Sequence, residues 1–363
     1  MPNWFESMQQ TFEYYIVDPG TWADVKKLDT VKSSSVDWDE DTDTLGSAVI
    51  DINDMIGEAY VRIYLVTTQN GVTEKFPLTT VLVQTPTMTF DGRVRNYSLD
   101  AYTPLIELKE KQPPIGYYIP EDANIMEEVC KLTKENLRAP VVDASCSEEL
   151  YSDFIADSDA TWLSNLKELM ANAKYKFSLD EMGRVLFSPK VDVAALQPVV
   201  TFDDGNSSIL YSDIDQDRDL YGVPNVVEVV YSDGTDANSA TGKGGSYTAI
   251  AINDDPDSPT STISRGRKIL YRETNPNLIG NPTNEQIQEY AELLLQELSS
   301  HEYTITYTHG YYPVRVGDCV RLNYNRSGLK DIKAKIIRQS IKCTPGCPVT
   351  ETAVYTTRYW RKK

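Results

Sequence analysis

Histidine is nearly absent from this chain: His301 and His309 are the only two among 363 residues. They lie eight positions apart in a stretch that alternates like a strand, so they share a face but stand far from each other. His301 is followed by Glu302, but no second histidine completes the H-E-x-x-H pattern of a metalloprotease. Surface or core-edge positions are expected for both. No G-x-S-x-G nucleophile elbow occurs. Cysteine is scarce and odd in number, and the five scattered residues (Cys130, Cys146, Cys319, Cys343, Cys347) do not make a disulfide framework. No apolar run approaches the roughly 18 residues of a membrane helix. The polar, acidic opening MPNWFESMQQTFEYY lacks the basic start and apolar core of a signal peptide. Synthesis and retention in the cytoplasm, at least until assembly or lysis, are expected, without membrane insertion. Positive charge is also in deficit. Lys+Arg number 35 against 54 Asp+Glu, a net charge of −19, which excludes non-specific nucleic-acid binding through phosphates by the chain as a whole.

What the chain does have is strand-forming sequence. Hydrophobic residues make up 40%, and 23 tyrosines stand against 8 phenylalanines. Tyrosine and β-branched residues suit a pleated, half-exposed surface. Between residues 46 and 100, GSAVIDIND, AYVRIYLVTTQ, EKFPLTTVLVQT and RNYSLDAY read as strands, with turns at Asn70-Gly71 and Asp91-Gly92. TPLIELKEK (103–111) follows as one short helix. EDANIMEEVCKLTKENL (121–137) reads as an amphipathic helix with Asp122 as N-cap, and a second helix begins after Asp157 or Ser158. That helix, with Trp162, Leu163, Leu166, Leu169 and Met170 on one side, runs into a hairpin that turns at 180–183. Strand patterns resume at Val199. Residues 232–282 are rich in Ser, Gly, Asp, Asn and Pro, and their first part reads as a long exposed loop. Thr283 and Gln286 form a capping box for a helix over 285–300. YTITYTH, CVRLNYN, AKIIRQSIK and ETAVYTTRYW close the chain as strands. The expected fold is therefore α+β, mainly β: a barrel-like first domain (1–115), a small α+β module (116–195) and a second barrel-like domain (196–363).

Local motifs that could carry chemistry each fall short. SATGKGGS (239–246) departs from a phosphate loop, with Ala237 at the first glycine position and Gly244 where Ser or Thr would bind magnesium. Asp37, Asp39, Asp41 and Asp43 alternate as in a calcium loop. Thr42 replaces the required glycine and no Glu stands at the twelfth position, which favours a solvated acidic turn. Cys343 and Cys347 flank a Thr-Pro-Gly turn. They read as turn thiols, a disulfide or half a zinc site, and the rest of a four-ligand metal set is missing. With 54 carboxylates, no acid pair for glycoside hydrolysis is singled out.

The order of elements resembles a known family. SSSVDWDEDTDTLGSAVIDI, DAYTPLIELK, YIPEDANIMEEVCKLT, DSDATWLSNLKELMANAKYKFSLDEMGRVLFSP, NEQIQEYAELLLQEL and YYPVRVGDCVRLNYN succeed one another as in the baseplate hub proteins of bacteriophage tails. These include the late control protein D group and the hubs of contractile injection systems. The likeness covers roughly residues 30–340, in pattern more than identity. It rests most on Trp162, Leu163, Leu166, Gly183, Arg184, Val185 and Phe187, and next on Val316, Gly317 and Asp318 before a strand. The resemblance implies a homotrimer in which each copy supplies two tail-tube-like antiparallel barrels, each with a helix, so that three copies imitate a sixfold ring. Such a ring joins the sixfold tail tube to a threefold central spike, and the α+β module is a spacer and docking piece. Implied partners are the tail tube protein, the central spike protein and other baseplate or tape-measure proteins, in a virion tail assembled in the host bacterial cytoplasm. No lysozyme or peptidase extension is recognisable.

Charge is uneven as well as negative. Residues 1–60 carry thirteen carboxylates against three lysines, whereas residues 314–363 carry twelve Lys+Arg against three carboxylates. This reads as two differently decorated surfaces or as complementary faces within an assembly, the basic end meeting an acidic neighbour. Carboxylates facing a channel would let DNA pass without binding. Interaction candidates are Trp162, Arg184, Asp37, Asp39, Asp41, Arg358 and Arg361. No catalytic residue and no cofactor is expected, and Cys343 and Cys347 are the only metal candidates. The competing readings are a tail-associated cell-wall hydrolase and a host-surface-binding tail-tip module.

Overall fold

The computed structural model describes the whole chain except residues 1, 158, 192–194, 206, 218–220, 233–245, 275, 277–282 and 359–363. The turn at 233–234, most of the phosphate-loop-like stretch, Ser158 and Arg361 lie outside the described residues. The chain forms two compact units. The first comprises residues 1–215 with 306–353, the second 216–305 with 354–363.

The first unit opens with β1 (Gln9–Val17), β2 (Asp24–Lys27), β3 (Val31–Asp39), β4 (Gly46–Ile52), β5 (Ala59–Gln69), β6 (Val72–Phe90) and β7 (Arg95–Tyr102). Asn70 and Gly71 both take positive φ, 53° and 80°. Two such residues make the turn whose twist matches a right-handed hairpin. Pro77, which cannot donate to a ladder, sits in β6 where the register with β5 shifts. One face of these strands buries Ile50, Val61, Ile63, Leu65, Val81 and Leu99 in a common core. Later strands extend the same sheet. These are β12 (Pro198–Asp203), β13 (Leu210–Asp217), β17 (Ser300–Gly310), β18 (Cys319–Asn323), β19 (Ile332–Lys342) and β20 (Pro348–Arg358). The strand order is β13-β17-β20-β19-β3-β4-β7-β6-β5-β1-β2, with β18 also on β19 and β12 on β18. The join between early and late sequence is the antiparallel pairing of β19 with β3, Ser340 opposite Asp37. The fold is mainly β, as the sequence indicates, and the described sheet does not close into one barrel. The β12–β18 pair is parallel.

Between β7 and β12 lies the expected module. It holds α2 (Ile125–Asn136), α3 (Trp162–Asn172) and the hairpin β10 (Tyr175–Leu179) and β11 (Val185–Pro189), with the short pair β8 (Tyr118–Ile119) and β9 (Phe154–Ile155), and α1 (Ile106–Glu110), which the sequence puts in the first domain, packs with it. Its core joins Leu105 and Leu108 of the α1 segment to Met126, Val129, Leu163, Leu166, Phe177 and Val185. The helix starts differ from expectation. Asn124, not Asp122, caps α2, its side chain accepting from the Glu127 N–H. Thr161, not Asp157, caps α3 through the Ser164 N–H. Asp122 has φ 63°, a turn conformation two residues ahead of the cap.

The second unit centres on β14 (Val226–Ser232), flanked by β15 (Ser246–Ile252), antiparallel, and β16 (Leu270–Thr274), parallel. After β15 comes a short α4 (Thr262–Arg265), and α5 (Asn284–Leu298) follows β16. Part of the expected loop 232–282 is therefore sheet. The residues Thr248 to Ile252 alternate, and Ala249 and Ala251 are small enough to lie with Val227 and Val229 under Ile287, Ala291 and Leu295 of α5. The surrounding Ser, Gly and Asp obscure that short alternation. The capping box of α5 forms as expected, with Thr283 accepting from the Gln286 N–H and Gln286 from the Thr283 N–H. Thr283→Ala should cost α5 about 1 kcal/mol, read as faster amide exchange in its first turn with no change in the first unit.

Candidate functional site: the seam around the acidic turn

Within the first unit the hairpin module is seated on the sheet by polar groups that neither element satisfies alone. Arg62, on β5, is 1% exposed. A buried guanidinium must find partners for its fixed fork of donors. Its Nη1 donates to Asp24 at 2.7 Å, Nε to the Thr80 hydroxyl at 2.9 Å, and Nη2 to the carbonyls of Trp22 and Met182, each at 3.3 Å. The Trp22 indole N–H donates to the same Met182 carbonyl at 2.6 Å. Met182 lies in the β10–β11 turn. The turn can approach because the next residue is glycine. Gly183 has φ 75°, and a Cβ there would stand 2.8 Å from Thr80 Cβ and 3.1 Å from the Trp22 ring. The glycine of the sequence pattern is thus needed for both conformation and contact.

Glu107 of α1 makes a second pin. It is 6% exposed, and it accepts from the Tyr60 hydroxyl at 2.7 Å, from the Arg138 N–H at 2.9 Å and from Arg138 Nε at 2.5 Å. Burial, then the adjacent Glu107 carboxylate, drives the Tyr60 phenol far above its ordinary value.

The acidic turn between β3 and β4 is the third. Asp41 and Asp43 are solvated as expected, Asp39 and Glu40 are largely covered, and all four are paired. Asp39 and Asp41 both meet Arg338 of β19, at 3.0 and 3.4 Å. Glu40 lies between Lys176 of β10 and Lys335 of β19, the latter at 2.7 Å. Asp43 meets Lys109 at 2.9 Å and Lys167 at 3.1 Å. Each carboxylate of the run apart from Asp37, which lies along β3, therefore carries a cation from another element. Part of the acidic-to-basic complementarity between the chain ends is met within one copy, through Lys335 and Arg338. Burial alone would raise the Glu40 carboxyl, but its two lysines outweigh this and hold it below the ordinary value of 4.5. Lys109, then Lys167, holds Asp43 low as well.

The acidic turn borders a cleft of about 630 Å³. Trp38, Leu186, Tyr311 and Val314 line it, with Glu40 and its lysines on one side. Arg315 crosses to Glu181 of the hairpin turn as a two-toothed pair, Nη2 to Oε2 at 2.8 Å and Nε to Oε1.

Other sequence candidates fall as follows. Trp162 is 5% exposed and packs edge-on against Tyr117 at 5.1 Å, so its indole belongs to the module core and not to an outer surface. Arg184 pairs with Asp180 at 2.5 Å beside the docked turn. Arg358 ends β20. Cys343 and Cys347 are free, buried thiols. Burial raises Cys343 to about 11 and Cys347 further, a setting that disfavours the thiolate a metal needs. Among the described residues no group of three His, Cys, Asp or Glu could hold a metal.

His309 was expected at the surface or core edge, but it is 0% exposed, as is Glu351. Its Nδ1 lies 2.6 Å from the Gly310 carbonyl, its Nε2 lies 3.1 Å from Glu351, and its ring stacks on Phe202 at 4.5 Å. Tyr307 and Gln339 donate to the same carboxylate at 2.5 and 2.9 Å. A carbonyl facing Nδ1 fixes a proton there, which turns Nε2 toward the Glu351 carboxylate. This His-Glu-Tyr set has acid–base character but lies enclosed on β17, β19 and β20, beyond reach of a substrate. Strand alternation could have placed His309 inward with Tyr307 and Ile305, but its carboxylate partner, 42 positions on, carries no local signal.

No family model and no curated protein matches the chain. Solved structures do. A tail protein from Neisseria meningitidis MC58 aligns over 95% of this chain and 96% of its own at 12% identity, TM-score 0.62. The 43 kDa tail protein of prophage MuSo2 from Shewanella oneidensis aligns over 95% and 98% at 10% identity, TM-score 0.62. The half-lidded Francisella PdpA-VgrG complex contains a chain that aligns over 99% of this one and 60% of its own at 11% identity, TM-score 0.57. This protein has the fold of phage tail proteins.

Two substitutions test the seam. Arg62→Met removes the donors of Asp24 and the Met182 carbonyl, and should cost roughly 3 kcal/mol. It should also open residues 175–189 to proteolysis before the sheet unfolds. Glu40→Gln leaves two lysines without their carboxylate, at about 1–3 kcal/mol. A carboxyl lowered on folding contributes stability that is complete above 4.5 and lost as pH falls through its lowered value. The deficit of Glu40→Gln in thermal melts should therefore be full at pH 7 and shrink below pH 4.5.

Proposed function

We propose that this chain is a structural baseplate hub of a phage tail or tail-like injection particle. Three copies form a ring that adapts a sixfold tail tube to a threefold central spike and lines the DNA path. Each copy supplies two tube-like blocks, residues 1–115 and 196–363, on either side of the module. The observation that carries this reading is the alignment with two separate tail proteins over 95% of the chain and nearly all of theirs. The seam agrees in character. Its ion pairs join α1, α3, β10 and β19 to one turn, which suits a part that must hold neighbours in a set position. The one acid–base cluster described is enclosed. Likeness to the chain in a PdpA-VgrG complex extends the expected neighbours to spike-like proteins, beside the tube protein and other baseplate or tape-measure proteins.

The net charge of −19 fits a channel that DNA must cross without sticking. Carboxylates repel phosphates and release no condensed counterions, so they supply no binding free energy. The ring is assembled in the host bacterial cytoplasm and resides in the virion tail.

Mass photometry of the purified chain should give three copies per particle, and duplex DNA at about 50 mM salt should not be retained. A monomer that clears a peptidoglycan gel would replace the hub with the wall-hydrolase reading. A monomer that binds glycans would replace it with host recognition.

A further inference from the structure

The hairpin of β6 and β7 runs past the sheet that supports it. The pairing of β5 with β6 ends at Ala59 opposite Val83, and that of β4 with β7 at Ile52 opposite Tyr97. Beyond these points β6 and β7 pair only with each other, out to Phe90 opposite Arg95. Directly opposed residues share a face, so Pro86, Met88, Phe90, Arg95 and Tyr97 continue the face that buries Leu99 in the core. Tyr97 still packs against that core, but farther out Pro86, Met88, Phe90 and Arg95 are exposed, and among the described residues nothing covers them. Met88 is 53% exposed, Phe90 61% and Val94 45%. Arg93 and Arg95 are exposed beside them. The side of β6 beyond Val83 that faces away from β7 is an unpaired strand edge, and an exposed apolar edge invites another chain.

A strip of opposite charge lies at one end of the sheet. β13 is a terminal strand, paired on one side only among the described residues. Tyr211, Asp213 and Asp215 alternate along it on one face, and all three are exposed, Tyr211 at 46%. Among the described residues Arg93, Arg95, Asp213 and Asp215 form no ion pair. This contrasts with the acidic turn, where every carboxylate except Asp37 is paired.

We propose that the β6–β7 ribbon of one copy adds to the free edge of β13 of a second copy. Met88 and Phe90 then lie against Tyr211, and Arg93 and Arg95 against Asp213 and Asp215. The occupant is a second copy because one chain carries both halves, an apolar ribbon end with Arg93 in its turn and Arg95 on β7, and an acidic edge strand. Different patches meet, so the contact is head-to-tail, the type that closes into a ring when the rotation per copy allows. The inference rests on the homo-oligomeric hub reading and assigns that oligomer its contact.

Charge reversal tests it. Arg93→Glu with Arg95→Glu, and separately Asp213→Lys with Asp215→Lys, should each weaken self-association at least about 100-fold in mass photometry. Because all four positions are exposed, melting should not change. The chain carrying all four substitutions should reassemble. Met88→Cys with Tyr211→Cys should cross-link copies under mild oxidation. Reversals that dissociate the oligomer without recovery in the fourfold variant overturn the pairing of these two strips. An oligomer that both reversals leave intact, with no cross-link, assigns the ribbon to another protein's acidic surface. It overturns the proposal but leaves the hub reading standing. A wild-type chain that stays monomeric at every concentration overturns the hub reading itself.

Discussion

The structure of the first unit depends on one buried cation. Arg62 is removed from water on a strand whose neighbours are aliphatic, and a guanidinium in that position is tolerable only when its donors are matched. No single element can match them. Asp24 and the Trp22 carbonyl come from the edge of the sheet, Thr80 from β6, and the Met182 carbonyl from a module a hundred residues further along the chain. The need to satisfy Arg62 therefore specifies where the hairpin turn must sit. Gly183 is the steric condition for it, since any side chain would meet Thr80. An apolar patch could hold the module equally well but would let it slide. A fork of directional bonds fixes one pose.

The acidic turn repeats this logic with charge of the other sign. Asp39, Glu40, Asp41 and Asp43 are consecutive or nearly so, and mutual repulsion would make such a run unfavourable in isolation. The fold answers with Arg338, Lys335, Lys176, Lys109 and Lys167, drawn from four elements. Partly exposed pairs of this kind add little stability one by one. Their weight lies in arrangement: moving the module without moving β19 or α1 would strip several carboxylates of their counter-ions together.

Much of this was visible in the sequence, and what was hidden was hidden for a physical reason. The Thr283–Gln286 box, the apolar face of α3, the turn glycines and the strand alternation of β4 to β7 are local signals, set within a few residues, and they stand in the structure where the sequence puts them. The DWDEDTD run announced an unusual turn, yet its cations lie 66 to 299 positions away and nothing local pairs them. His309 was misjudged for the same reason, because its burial depends on Phe202 and Glu351. The helix caps were missed by two to four residues, since several Asp, Asn, Ser and Thr stand near each start and only the backbone selects one. The strand β15 was lost among turn-forming residues because it becomes legible only with α5 laid across it. Trp162 was an interaction candidate, but the apolar bulk that makes it conspicuous in the sequence also buries it in the module core.

A joint between assemblies must resist displacement more than it must be stable. Hydrophobic burial is non-directional, so the cores of the sheet and of the module hold each element together without fixing the angle between them. Here that angle is set by polar contacts with narrow geometry: the Arg62 fork, the Glu107 acceptor set and the two-toothed Arg315–Glu181 pair. In the hub reading, this division explains why the reactive groups are enclosed while the charged groups gather at the seam. A ring that passes force and DNA gains nothing from accessible acid–base chemistry. It does gain from a module held at its hairpin turn, at Glu107 and at the acidic turn, because three fixed points determine a rigid pose.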